Sequence, residues 1–141
     1  MSTVFRTISC NGLAMRLAEA GSAADPLVIL AHGWPESWYS WRHQMGPLAE
    51  AGYRVVAPDM RGYGRSSIYP THGDYALQHS VQDLLDLLDT LGAERAIWVG
   101  HDWGAMVVPE MTGATSAGSI GTELLSRLAA PSVFVAKMQT C

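Results

Sequence analysis

A chain of 141 residues that is 48% hydrophobic and only 16% charged has the material for one domain around one core. Its formal net charge of −4, with no basic stripe, argues against nucleic acid as a partner. The two cysteines, Cys10 and Cys141, make neither a disulfide framework nor a metal pattern. No signal-like segment opens the chain and no apolar run reaches membrane-spanning length, so a soluble, cytoplasmic protein is expected.

Thr3 to Ile8 and Leu13 to Ala18 read as a hairpin turned at Asn11-Gly12. Leu27 to Leu30 is a short, continuously apolar strand. Trp38 to Glu50 has helical spacing, with Ser37 as N-cap and Gly52 past its end, and Gly46-Pro47 is expected to kink or break it. Tyr53 to Ala57 is the next strand, and a turn-rich loop follows from Pro58 to Asp74. Leu77 to Leu91 is an amphipathic helix. Val81, Leu84, Leu85, Leu87 and Leu88 lie on its apolar side, Gln82, Asp83 and Asp86 mostly on the other, and Gly92 closes it. Arg95 to Val99 is a buried strand.

This order of a hairpin, then strand, helix, strand, helix, strand and the start of a helix implies an α/β fold with a mostly parallel sheet. Ligands in such sheets bind beyond the carboxyl ends of the strands. Three loops lie there: after Leu30, after Ala57 and after Val99.

The third loop, Gly100-His101-Asp102-Trp103-Gly104, has the form Gly-x-nucleophile-x-Gly, a sharp strand-to-helix turn. An Asp at its centre suits attack on a strained or activated saturated carbon, giving an alkyl ester of the protein itself. Gly100 and Gly104 fit positions where a side chain would collide with neighbouring backbone. The same residues also read more simply, as a strand ending in a glycine-flanked turn. In the first loop, His32-Gly33-Trp34-Pro35-Glu36-Ser37, Gly33 allows close backbone approach and Pro35 sets the turn. Trp34 N–H and Trp103 N–H are the candidate pair for stabilising a developing oxyanion. His32, beside the strand end, is expected to be a structural hydrogen-bonding group and not a base. In the second loop Asp59 and Arg61 are expected to brace loops through charge-assisted hydrogen bonds.

Taken in order, these loops resemble the epoxide-hydrolase branch of the α/β-hydrolase fold superfamily. The stretches that carry the likeness are His32 to Arg42, Pro58 to Ser67 and Gly100 to Ala105. The resemblance implies a partial α/β-hydrolase fold over 1–105. It makes Asp102 the nucleophile, gives the oxyanion N–H groups to Trp34 and Trp103, and lays those two residues against a small apolar epoxide. It implies no metal and no organic cofactor. Haloalkane and haloacetate dehalogenases share the Asp nucleophile and are the nearest competitors, and the Trp34-Pro35-Glu36-Ser37 wording favours epoxide hydrolase.

The likeness stops near Ala105. In that family an acid-oriented His after the nucleophile activates water, and two cap-domain tyrosines hold the epoxide oxygen. Here no His follows Asp102 and no Tyr follows Tyr75. Pro109 is expected to end or bend the helix beginning after Asp102. Residues 106–141 read as a divergent tail, disordered or frame-shifted. Within it Thr112 to Thr122 resembles a linker, Thr122 to Ala130 a short helix and Ser132 to Ala136 a strand. Two classes of function stay open: an epoxide hydrolase of which this chain holds the nucleophile half, and a non-catalytic fragment or interaction module. A chain ending there would leave the far edge of the 95–99 strand open, which predicts self-association through that edge.

Overall fold

The computed structural model of the chain describes residues 2–112 and 133–139. Six strands form one sheet: β1 (Val4–Cys10), β2 (Leu13–Ala20), β3 (Leu27–Ala31), β4 (Arg54–Pro58), β5 (Arg95–His101) and β6 (Val133–Gln139). Among the described residues three α-helices accompany them: α1 (Arg42–Glu50), α2 (Leu77–Thr90) and α3 (Trp103–Thr112). The spatial order is β1-β2-β4-β3-β5-β6. The centre, β4-β3-β5, is parallel, while β1, β2 and β6 are joined to their neighbours by antiparallel ladders. The sheet is therefore mixed, with its parallel part confined to the strands whose carboxyl ends carry the three loops.

Successive side chains on a strand point to opposite faces, so a continuously apolar run serves two cores at once. Ile29, Val56 and Trp98 pack on one face with Leu84, Leu87 and Leu88 of α2 and with Val107 and Val108 of α3. Val28, Leu30, Val55 and Val99 pack on the other with Trp41, Met45 and Leu48. The helices on both faces hold the β3 and β5 ends rigidly in place.

Neither of the two prolines expected to break or bend a helix ends one. The segment entering α1 is a 3-10 turn, Trp38–Trp41, with the Ser37 hydroxyl accepting the Tyr39 N–H at 3.3 Å. Helix α1 then runs unbroken to Glu50 with Pro47 inside it, and α3 runs through Pro109 to Thr112. A proline interrupts a helix by removing one hydrogen bond and crowding the preceding turn, a cost of about 3 kcal/mol. Burial of Met45, Leu48 and Ala49 in α1, and of Gly104, Val107 and Val108 in α3, opposes that cost.

The expected strand at Ser132 to Ala136 is present as β6. It runs antiparallel along β5, from the Arg95–Gln139 pair to the His101–Val133 pair. The β5 edge, expected from the sequence to be open and to mediate self-association, is therefore a paired ladder. The expected linker at Thr112 to Thr122 and helix at Thr122 to Ala130 lie outside the described residues, apart from Thr112 at the end of α3.

Asp83 also departs from expectation. Placed by periodicity mostly on the polar side of α2, it is 1% exposed. The Arg61 guanidinium grips its carboxylate twice, Nε to Oδ2 and Nη2 to Oδ1, each at 2.8 Å. Asn11 Nδ2 adds a 2.9 Å bond to Oδ1. The pair is conditional on its partners, because a buried charge is tolerated only when matched. Asp83→Ala is expected to cost about 3–5 kcal/mol by leaving Arg61 buried and unpaired. Replacing both, as Arg61→Met with Asp83→Leu, should recover most of that loss. Chemical denaturation of the three proteins checks it.

Candidate active site

Strand β5 delivers Asp102 into a turn that few side chains tolerate. Its φ is 53°, in the left-handed region. Close packing around the turn supports that backbone. A Cβ on Gly100 would lie 2.2 Å from the Gly104 carbonyl oxygen, and one on Gly104 would lie 2.2 Å from that of Ala31. A Cβ on Gly33 would sit 2.4 Å from the Cβ of Asp102. Three glycines thus let three backbones converge on one carboxylate.

That convergence aims donors at Asp102. Trp34 N–H, from the loop after β3, donates to Oδ2 at 2.9 Å. The backbone N–H of Trp103, first residue of α3, adjoins the carboxylate and favours its charged form. These two N–H groups, Trp34 foremost, hold the Asp102 carboxyl below its ordinary range, and the neighbouring His101 acts in the same direction. Asp102 is therefore an ionised, exposed carboxylate at neutral pH, with its charge fixed in direction by backbone donors.

The loop after β3 is itself pinned. The Trp34–Pro35 bond is cis. Glu36 accepts the Gly33 N–H at 2.9 Å and faces His101 Nδ1 at 3.3 Å, linking this loop to the turn that carries Asp102. His32, 2% exposed, places Nδ1 2.8 Å from the Gly33 carbonyl and accepts the Met60 N–H on Nε2 at 2.9 Å. That pairing specifies the neutral tautomer with the proton on Nδ1. Burial, the largest effect, lowers the affinity of His32 for a second proton.

The loop after β4 is stitched down by Asp59, whose carboxylate accepts the Trp38 and Arg65 N–H groups, each at 3.0 Å. Arg61 reaches Asp83 and also donates to the Asp74 carbonyl at 2.9 Å. Asp59 and Arg61 thus act on separate partners and not on each other.

Between these loops lies a cavity of about 580 Å³. Its wall includes His32, Trp34, Tyr63, Tyr75, Trp103 and Val107. Trp34 and Trp103 are 62% and 53% exposed, so they stand at the rim and not in the core. Tyr63 and Tyr75 drew no attention in the sequence. A tyrosine flanked by glycines, Gly62-Tyr63-Gly64, in a loop beyond a parallel strand was the available signal. Among the described residues no group of three or more His, Cys, Asp or Glu side chains is arranged to hold a metal ion.

Comparison with known proteins agrees with this geometry. Residues 26–113 match the family model described as alpha/beta hydrolase fold, and the chain belongs to that family. Within it, the likeness is to the epoxide-hydrolase branch. The chain is 56% identical over 103 residues to epoxide hydrolase A of Mycobacterium tuberculosis, covering 73% of this chain and 32% of that one. It is 50% identical over 101 residues to epoxide hydrolase 2 of Siraitia grosvenorii, covering 72% and 31%. Among solved structures, epoxide hydrolase A of Mycobacterium thermoresistibile superposes with a TM-score of 0.76 at 51% identity, covering 78% of this chain and 34% of that one. An epoxide hydrolase of Vigna radiata gives 0.75 at 44% identity, covering 77% and 35%. The chain spans about a third of the length of the curated relatives it matches. No helix among the described residues is long and apolar enough to cross a membrane.

Two outcomes test the site as built. Gly104→Ala drives a Cβ into backbone, so it is expected to cost at least the roughly 1–3 kcal/mol of an overpacked core and to release Asp102 from its donors. Denaturation and the Asp102 carboxyl resonance read the two effects. His32 has a folded-state pKa below its unfolded value of about 6.5, so its contribution to stability is full above that pH and falls as the pH drops below it. Stability measured from pH 7.5 to 5 should decline for the wild type, and less steeply for His32→Gln.

Proposed function

We propose that this chain is the nucleophile-bearing part of an epoxide hydrolase. Asp102 is its nucleophile, Trp34 and Trp103 supply the oxyanion N–H groups, and their indoles flank a small apolar epoxide. The observation that carries this is the Asp102 carboxylate on the Trp34 N–H, 2.9 Å away, with its neighbours Gly33, Trp34, Trp103 and Gly104 lining a cavity. The names of the matching relatives favour an epoxide over a haloalkane as substrate. In the proposed reaction a carboxylate oxygen attacks one epoxide carbon and the ring C–O bond breaks. The oxygen released as an alkoxide takes a proton from solvent water, giving hydroxide and leaving a hydroxyalkyl ester on Asp102.

The second half of the reaction, attack of water on that ester, needs a base. His32 is held neutral, but both its ring nitrogens are engaged. His101 faces Glu36. No His follows Asp102 in this sequence. The chain by itself is therefore expected to form the ester more readily than to hydrolyse it. Residues 1–105 carry the hydrolase pattern in this reading, with 106–141 diverging from it. The buried free Cys10, its thiol pushed up to about 11 by burial, suits a reducing cytoplasmic setting.

The test is incubation of the purified chain with styrene oxide, with mass mapping of the Asp102 peptide and assay of the diol. Slow formation of an adduct on Asp102, absent from Asp102→Asn, with no diol above background, is the expected result. Loss of positioning in an open site removes much of the roughly 7–11 kcal/mol that orientation supplies, which is why labelling is expected to be slow. Absence of an Asp102 adduct, or an equal yield on other carboxylates, overturns the reading.

A further inference from the structure

We propose that the Tyr63 hydroxyl is a further ligand-binding group of the cavity, donating a hydrogen bond to the ether or hydroxyl oxygen of a small, otherwise apolar ligand. This rests on reading the cavity as the substrate site.

A neutral ligand oxygen needs a donor, and several of the donors near Asp102 are already engaged. The Trp34 backbone N–H donates to the Asp102 carboxylate, and the Trp103 backbone N–H favours the same charge. His32 Nδ1 lies on the Gly33 carbonyl, and Nε2 is an acceptor. The Arg61 guanidinium is engaged by Asp83 and by the Asp74 carbonyl. The Tyr75 hydroxyl donates to the Tyr69 carbonyl at 3.0 Å and accepts the Tyr69 N–H at 2.7 Å. The Tyr63 hydroxyl makes no hydrogen bond among the described residues, although its ring lines the cavity.

Its position is fixed without using that hydroxyl. The Tyr63 N–H donates to the Met60 carbonyl at 2.9 Å, and its carbonyl accepts the Ser66 N–H at 3.1 Å. Its ring meets the immobilised His32 ring edge-on, with centroids 5.3 Å apart. His32 adjoins Gly33, whose backbone abuts Asp102, so Tyr63 stands on the nucleophile's side of the cavity. Burial first, then the negative charge of Asp102, raises its phenol above the ordinary range, which keeps the proton available for donation at neutral pH. A fixed ring with an uncommitted hydroxyl is a preorganised donor, and it loses little entropy when a ligand binds.

The experiment uses a matched pair of unreactive probes. The wild-type chain and Tyr63→Phe are titrated with 2-phenyltetrahydrofuran and with phenylcyclopentane, in which a CH2 replaces the ether oxygen. Binding is followed by ligand-observed NMR and by the Cζ resonance of Tyr63. The phenol-to-phenyl change keeps the ring contact with His32. It should weaken ether binding by about 3–10-fold, the range of one neutral hydrogen bond, and leave hydrocarbon binding within about twofold. In the wild type the Cζ resonance should move with the ether and not with the hydrocarbon. Equal ether affinity in the two proteins, equal loss for both probes, or no ether binding to the wild type overturns the proposal. Ether selectivity that depends on Tyr63 but comes without an Asp102 adduct from styrene oxide overturns the epoxide reading alone.

Discussion

The left-handed turn at Asp102 is the constraint around which the rest of the described structure is arranged. A non-glycine residue at a φ of 53° is costly unless its surroundings determine it, and here they do so with backbone, the least deformable part of a protein. A Cβ on Gly104 would meet the Ala31 carbonyl, one on Gly100 the first turn of α3, and one on Gly33 the Asp102 side chain. Each belongs to an element anchored by its own burial: β3 by both cores, α3 by Val107 and Val108. The parallel centre of the sheet serves to bring these carboxyl ends into register.

Around that turn, the loop after β4 is held by a different kind of force. Asp59 anchors its start through backbone N–H groups, and Arg61 anchors its middle to α2 through a buried bidentate pair. Such a pair contributes little net stability over apolar residues of similar volume, but its geometry is demanding. It ties the cavity wall to α2 and, through Asn11, to the hairpin turn. Arg61 also lies 4.5 Å over the ring of Tyr69, so one guanidinium organises several segments that are distant in sequence.

Much of this was legible in the residues. The strands, α2 and the order of the loops followed from apolar periodicity and glycine stops. The glycines at 100 and 104 announced a turn that the structure shows to be sterically closed. What escaped was non-local. Periodicity gave Asp83 a polar side because hydrophobicity ignores partners, and its partner lies in another loop. Pro47 and Pro109, each expected to break or bend a helix, lie inside helices that continue past them, because a local rule does not count the burial that opposes it. The pairing of β6 with β5 joins segments that no spacing rule connects, although the strand itself was recognisable from its apolar run. Tyr63 was invisible because a cavity is a property of three loops and not of one.

The hydrogen bond from Trp34 makes the two oxygens of Asp102 unequal. Oδ2 carries the Trp34 N–H and, among the described residues, Oδ1 accepts no such bond, which leaves Oδ1 as the oxygen with more of its lone-pair density available. In the proposed reaction Oδ1 would then become the ester oxygen, and Oδ2 would become the carbonyl oxygen without moving. The oxygen that takes negative charge when water adds would already rest on its donor before any ligand arrives. The electrostatic arrangement required late in the cycle would thus be assembled in the empty site by the nucleophile's own charge, with no reorganisation deferred to the transition state. Such an arrangement also has a label-tracing signature: an oxygen taken up from water would remain on the Asp102 carboxyl, and the departing alcohol would carry away the original Oδ1.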